Sequence, residues 1–423
     1  MAMPLNRKTP PPFSSPSDFN LPAPEVAAIS EHTHLVQLTE VQQDVIKIEF
    51  LFKCGKWHEA APGIAHFTAQ LLDKGIPGKN AYQIASWFDH YGASIEINAG
   101  LDFTSVSLYA LASNVHQVLP CFYEILSQPT FPANELQLAK DIFSQNLKVN
   151  LEKTSFVANR QLRLVLFGES HPYGGFLGEE HLPAITEASL RHFFETNFQL
   201  FEVYVTGKLP AAAGNSLVSF IASSQKKNQT NPITISGNQG PLTDVYIEKQ
   251  GAVQTSIRLA KRTINRQHLQ YPRLILLNHI LGGYFGSRLM KNIREEKGLT
   301  YGIHSGISTY LHDAIFSIAT DVNKQNTRVA IEEVKKELSI LCSNPISEAE
   351  LYTAKNHLLG NLQLEIANPF SIMEKIKSLR SFNLHPQFYT LVFNSIKSST
   401  SSELLELARQ AFNPNDLLTV AIG

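Results

Sequence analysis

Pro62-Gly63-Ile64-Ala65-His66-Phe67-Thr68-Ala69-Gln70-Leu71-Leu72-Asp73-Lys74-Gly75 is the stretch on which the reading of this chain turns. Its ends carry helix punctuation: Pro62 suits a first turn, and Gly75 suits the position just past the last. At about 100° per residue, Ile64, Phe67, Thr68, Leu71 and Leu72 fall on one side and His66, Ala69, Gln70 and Asp73 on the other. A His, a small residue and an amide at i, i+3 and i+4 therefore share one face. A metal-binding helix uses that spacing, but only one imidazole is present here.

Outward from this helix, the 423 residues exceed what one core usually organises, so two or more domains are expected. Hydrophobic residues at 43% and charged residues at 17% indicate a globular chain with ample core. A net charge of −1 gives no pull toward nucleic acid or an anionic membrane. Cys54, Cys121 and Cys342 are too sparse for metal-ligand spacing and suggest free thiols in a reducing compartment. Met1 to Asn20 carries cations without the apolar run of a signal peptide. No apolar stretch approaches the roughly 20 residues of a membrane span. The expectation is a cytoplasmic protein with no membrane and no nucleic-acid partner.

Residues 1–25 are rich in Pro and Ser and read as an extended arm. A first domain is expected over 26–224. Its strands lie at 33–39, 44–53, 92–98, 103–110 and 203–207, and its helices at 80–91, 113–127, 133–152 and 187–196. Residues 225–243 have linker composition. The pattern then restarts over 244–423. Strands are expected at 244–249, 255–261, 299–309 and 314–322, with helices at 270–281, up to about 297, at 326–342 and at 347–366.

This second half repeats the first. Glu135-Leu136, Ala139-Lys140 and Asn146-Leu147 recur as Glu350-Leu351, Ala354-Lys355 and Asn361-Leu362 at a constant offset of 215. Tyr91-Gly92 recurs as Tyr301-Gly302, and Val203 to Gly207 as Thr419 to Gly423. Three matches in the same order indicate two homologous α+β domains.

With the repeat in hand, the chain resembles the insulinase-like (pitrilysin-type) zinc metallopeptidases, in particular the two-domain subunits related to mitochondrial processing peptidase. The resemblance rests on Phe52 to Glu59, Gly63-Ile64-Ala65-His66, Tyr91-Gly92-Ala93-Ser94 through Asn98, and Pro129-Thr130-Phe131. It continues in His171-Pro172-Tyr173-Gly174 with Gly178, in Ser287-Arg288-Leu289, and in Arg294-Glu295-x-Lys297-Gly298-Leu299-x-Tyr301-Gly302. It implies two units, each a mostly antiparallel sheet packed against helices, facing each other across a cavity.

In the family, zinc is held by an inverted His-x-x-Glu-His helix and a Glu about 76 residues on. Two His and that Glu leave one position for water, and the motif Glu takes the water's proton. Carried over, the first His is His66, the base position is Ala69, the second His is Gln70 and the distal Glu falls at Asn146. Amide oxygens are poor zinc ligands and alanine moves no proton, so the resemblance implies no catalytic zinc in this chain.

The family's far domain supplies an Arg and a Tyr, seven residues apart, that hold the substrate and stabilise the oxyanion. Arg294 and Tyr301 keep that spacing. Some two-domain members work in pairs, one subunit carrying zinc and the other the Arg/Tyr pair. The resemblance thus implies a non-zinc subunit of a heterodimeric metallopeptidase. Its partner would be a zinc-bearing homologous subunit, and its substrate an unfolded peptide enclosed between them.

Plainer readings stand beside these. His66 reads more readily as a hydrogen-bonded polar residue than as a ligand. Without the motif, Arg294 would read as a surface helix residue pairing with Glu295 or Glu296 and Tyr301 as half-buried strand filler, and the motif turns both toward the functional reading. Gly92 to Asn98 reads either as an exposed strand that pairs with a peptide or as a core strand. Gly282-Gly283-Tyr284-Phe285-Gly286 lacks the Lys-Ser/Thr of a phosphate loop. As a whole, the chain is alternatively a non-catalytic scaffold or peptide-binding protein. An autonomous peptidase would require the metal site to be rebuilt from other residues.

Overall fold

The computed structural model describes residues 16, 18–41, 43–224 and 240–423. The linker expected over 225–243 therefore lies largely outside the described residues, as does most of the arm.

The first half builds a six-stranded sheet from β1 (Glu25–Ala28), β2 (His34–Leu38), β3 (Val45–Phe52), β6 (Ser94–Ala99), β7 (Thr104–Leu111) and β8 (Leu200–Thr206). Two short strands, β4 (Gly75–Ile76) and β5 (Lys79–Asn80), form a separate ribbon. The sheet order is β1-β2-β8-β3-β7-β6, antiparallel throughout except for the parallel β2/β8 pair. Its helices are α1 (Ile64–Leu71), α2 (Ala81–His90), α3 (Val115–Ser127), α4 (Ala133–Leu151), α5 (Thr154–Phe167), α6 (Glu187–Asn197) and α7 (Ala211–Ser223).

The second half has β9 (Val245–Ile247), β10 (Gln254–Arg262), β11 (Thr300–Thr309), β12 (Ala314–Asn323) and β13 (Leu418–Ile422) in the order β11-β12-β10-β13-β9. Again a single pair, β9/β13, is parallel. Its helices are α8 (Tyr271–Gly282), α9 (Thr327–Ser343), α10 (Glu348–Leu364), α11 (Pro369–Ser381), α12 (Phe388–Ser398) and α13 (Ser401–Ala411). Strand by strand, β2, β8, β3, β7 and β6 answer to β9, β13, β10, β12 and β11. The repeated Val203 and Thr419 segments fall on the equivalent strands β8 and β13.

Alternation along the central strands assigns the faces. In β3, Ile46, Ile48, Phe50 and Phe52 enter one core with α1, α3 and α6, while Lys47, Glu49 and Leu51 point the other way. In β10, Ile257 and Leu259 enter the second core, while Ser256, Arg258 and Ala260 face away from it.

Those outward faces are covered by exchange between the halves. α11 lays Met373 and Ile376 on Val36, Leu38, Leu51 and Tyr204 of the first sheet. α5 lays Ala158, Leu162 and Val165 on Ala260, Val420 and Ile422 of the second. The two helices begin at Thr154 and Pro369, the same offset of 215 seen in the sequence. Neither was expected, nor was α7, because their mixed polar faces give weak periodicity. α12, α13 and β1 were not expected either, although α12 and α13 carry clear apolar faces in Val392, Phe393 and Ile396 and in Leu404, Leu407 and Ala408. A helix covering a charged sheet face from the other half cannot show a wide apolar stripe.

The arm's described end crosses the same junction. Phe19 is buried between the rings of Tyr389 and Phe393, 6.2 and 5.9 Å away.

The opening helix is shorter than its sequence punctuation suggests. It starts at Ile64 because Gly63, in left-handed backbone (φ 94°), is its N-cap. That backbone favours glycine, and a Cβ there would also push the Leu177 methyl groups, the nearer 2.6 Å away, aside. Gly75 does not close the helix. It opens β4 instead, after a turn from Leu72 to Lys74.

Candidate functional site

Ile64, Phe67, Thr68 and Leu71 of α1 are buried and fix its roll, so His66 is exposed and Gln70 half-buried beside α4. The His66 ring lies 6.2 Å from that of Phe143 on α4, and the partial loss of water around this otherwise exposed imidazole holds its pKa below the usual value. Asn146, one turn further along α4, is exposed. The four degenerate positions thus lie on two packed helices, as the resemblance requires. The chemistry there does not fit zinc. Ala69 is 2% exposed with only a methyl to offer, and the Gln70 Oε1 is buried without a hydrogen-bond partner. Among the described residues, no three His, Cys, Asp or Glu side chains gather where a metal could sit.

A cavity of about 310 Å³ opens beside His66, lined also by Glu59, Lys56 and Phe176. Glu59 was quoted in the resemblance but given no role. Its Oε2 accepts from the Gly63 and Ala65 amides at 3.0 and 3.3 Å, capping the first turn of α1. Burial pushes its pKa up to about 7, against the opposing pull of Lys56 and of those two amides. An acidic residue shortly before a Gly-led helix is the signal that could have found it.

Arg294 and Tyr301 sit in the second half on two irregularities. Arg294 belongs to a π-helix, Met290–Glu296, in which the Lys297 amide donates to Asn292. Such segments are rare and concentrate at functional sites. The Arg294 guanidinium carbon stands 4.9 Å from the centroid of the exposed Phe285 ring. No carboxylate lies within ion-pair distance of it among the described residues, so the plainer reading, pairing with Glu295 or Glu296, is not what the structure shows. Gly298, at φ 62°, turns the chain into β11.

There the register with β12 slips between Thr300 and Ile303, leaving Tyr301 and Gly302 opposite Asp321 alone. This bulge is tied down by Thr300 and Thr320 hydroxyls donating to the Gly302 carbonyl at 3.0 Å. Tyr301 is left 91% exposed, so it is not strand filler. Among the described residues, no hydrogen bond or ring contact joins the Arg294/Tyr301 pair to the His66 helix.

β6 is the free edge of the first sheet, pairing with β7 alone. Tyr173 of the His-Pro-Tyr-Gly loop is fully buried. Its hydroxyl donates to Asp102 at 2.5 Å, which also accepts the Leu311 amide at 3.0 Å, so this loop clasps the two halves together. No helix among the described residues is long and apolar enough to cross a membrane.

Two family models match the chain: "Insulinase (Peptidase family M16)" over residues 36–167 and "Peptidase M16 inactive domain" over 184–358. An uncharacterized zinc protease, YmxG, of Bacillus subtilis is 25% identical over 375 residues, covering 86% of this chain and 90% of that one. The "non-peptidase homolog YmxG" of Helicobacter pylori is 24% identical over 367 residues, covering 84% and 83%. The crystal structure of a peptidase M16 inactive domain from Pseudomonas fluorescens superposes with a TM-score of 0.84 at 24% identity, over 95% of this chain and 98% of that one. Similar chains thus carry opposite names. Matched by family models through both halves, and with one imidazole left of its metal set, the chain belongs to peptidase family M16, the insulinase family.

Proposed function

We propose that this chain is the non-zinc subunit of a two-chain M16 peptidase. The observation that carries the reading is a pair of uncommitted side chains. Arg294 and Tyr301 are set out by a π-helix and a bulge; among the described residues the guanidinium meets only the face of Phe285 and the hydroxyl has no hydrogen-bond partner, in a chain whose metal-helix positions are Ala69, Gln70 and Asn146. Zinc is expected in the partner, a homologous subunit with the complete His-x-x-Glu-His helix. The substrate is an unfolded peptide. It is held through backbone hydrogen bonds on the open β6 edge of a subunit, and Arg294 and Tyr301 face the carbonyl at the partner's metal.

Co-purified with such a partner, the chain should support cleavage of a fluorogenic unfolded peptide that neither subunit cleaves alone. Arg294→Ala should lower kcat by roughly 100-fold, the scale of losing one oxyanion donor. Unchanged activity of the Arg294→Ala pair would remove the assigned role. Chelator-sensitive cleavage by the chain alone would overturn the reading entirely.

The name of the Helicobacter pylori relative favours a second reading, a non-catalytic scaffold or peptide-binding protein. Saturable peptide binding by the chain with no hydrolysis in any homologous pairing would select it.

A further inference from the structure

A cavity of about 790 Å³ lies away from the degenerate metal helix. It opens at the β1/β2 side of the first sheet, whereas α1 packs near β6 at the opposite edge. Its volume is that of a small-molecule site. Three parts of the chain wall it: the arm's Leu21 and Pro24, Phe201 at the start of β8, and Leu379 and Leu384 around the end of α11. Its surroundings are therefore largely apolar.

Polar groups interrupt that lining, Gln199, Asn383 and His32 among them, and the charged ones are unequally engaged. Glu202, 2% exposed on the cavity floor, is saturated: Arg380 Nε donates to its oxygens at 2.7 and 2.9 Å, the Tyr204 hydroxyl donates to it, and His34 Nδ1 lies 3.6 Å away. It has nothing left for a cationic ligand, and it neutralises Arg380. Glu31 is at the mouth, exposed, 4.0 Å from His32. Lys53 is different. Its ammonium sits over the Phe201 ring at 4.3 Å, with no carboxylate in ion-pair distance among the described residues. An ammonium with no ion-pair partner at the edge of a partly apolar hollow fits an anion of single charge on an apolar body, because a charge-assisted hydrogen bond to it would anchor the anion while its chain lies on the apolar wall.

We propose that this cavity binds a small amphipathic carboxylate, its apolar chain along Leu21, Phe201 and Leu379 and its carboxylate on Lys53. A fatty acid and the C-terminal end of an apolar peptide share that chemistry. Because the walls come from both halves, occupancy also ties α11 more firmly to the first sheet and raises Tm by mass action.

The test is calorimetric titration of the full chain with decanoate, decanol and decylamine below their aggregation limits. A blocked apolar tripeptide ending in a free carboxylate, and its C-terminal amide, complete the set. One equivalent of decanoate or of the free-acid tripeptide should bind at least tenfold more tightly than the alcohol or the amide, and decylamine should bind worst. The tighter of the two acids identifies the source. Lys53→Gln, at an exposed side chain, should remove that tenfold preference and leave decanol unchanged. Leu384→Trp, checked for folding by circular dichroism, should narrow the hollow and weaken binding of both the acid and the alcohol at least tenfold. Equal affinity for decanoate and decanol, undiminished acid binding by Lys53→Gln, or no saturable binding would each overturn the proposal.

Discussion

Tyr91-Gly92 and Tyr301-Gly302 are the same dipeptide at the same place in two copies of one fold, and they meet different fates. Tyr91 follows a regular helix, α2, meets Trp87 edge to face with centroids 5.2 Å apart and packs against the first core. β6 then pairs with β7 without a slip. Tyr301 follows a π-helix and lies in a bulge, 91% exposed. The helix pairs diverge too. α1 and α4 leave an open cavity beside His66. In α8 and α10, the His279 Nε2 lies 3.0 Å from the His357 Nδ1, and Tyr284 stacks on His279 at 4.6 Å. Duplication preserved strand order and helix placement. What separates the halves is where each keeps room and where each breaks regularity. The first has space without donors, and the second has donors on irregular backbone with its space filled by rings.

The largest effect is expected where the halves hold each other. On the first sheet, α11 contributes Arg380 to buried Glu202, and Lys377 to Glu49 at 2.6 Å. On the second, α5 meets neutral groups or offers them: Asn159 accepts from Arg258 at 2.8 Å, Thr154 lies 2.9 Å from Ser256, and Arg163 donates to the Tyr310 hydroxyl at 3.4 Å. Arg380→Ala strands a buried carboxylate and should cost roughly 3–5 kcal/mol in urea unfolding. Asn159→Ala removes a neutral acceptor and should cost roughly 1–2 kcal/mol. Equal losses would show that the exchange is energetically symmetric.

The next contrast is in pH. Glu59, held up to about 7 by burial, takes a proton more readily folded than unfolded. Its contribution is full below about pH 4.5 and is lost as pH rises through 7. His279, held down to about 4 by burial and by His357, does the opposite. Its contribution is full above about 6.5 and is lost as pH falls toward 4. Each shift is worth at most about 3 kcal/mol. Melting profiles across pH 4–8 should lose their alkaline-side decline in Glu59→Gln and their acid-side decline in His279→Leu. A profile unaltered by either substitution would place the titration elsewhere.

The sequence made the repeat legible because the matched residues sit on regular elements, α4 and α10 or β8 and β13, whose period is written in apolar side chains. The degenerate metal positions were legible for the same reason, since a helix face follows from spacing. Glu59 was passed over because its role is a tertiary one, a carboxylate buried against backbone amides. The exchange of α5 and α11 was hidden because each helix meets charged strands of the other half, which removes the wide apolar stripe that marks a helix in sequence. The π-helix and the bulge were hidden because Leu289, Ile293 and Gly298 suit an ordinary helix and turn equally well. Only hydrogen-bond register distinguishes them.

The smallest effect concerns that irregular segment. Phe285 is 61% exposed and touches Arg294 only by its face, so Phe285→Ala should change stability by less than about 1 kcal/mol. Tyr301→Phe removes a hydroxyl with no hydrogen-bond partner among the described residues and should change it by less still. The equivalent cut in the first half, Tyr91→Ala, removes a ring packed against the core and should cost roughly 2–4 kcal/mol. If Phe285 and Tyr301 proved as costly as Tyr91, they would be holding the fold together, and a surface kept free for a ligand would be the wrong description. If they are cheap to remove from the free chain but their loss weakens peptide capture, the bulge exists for something outside the molecule.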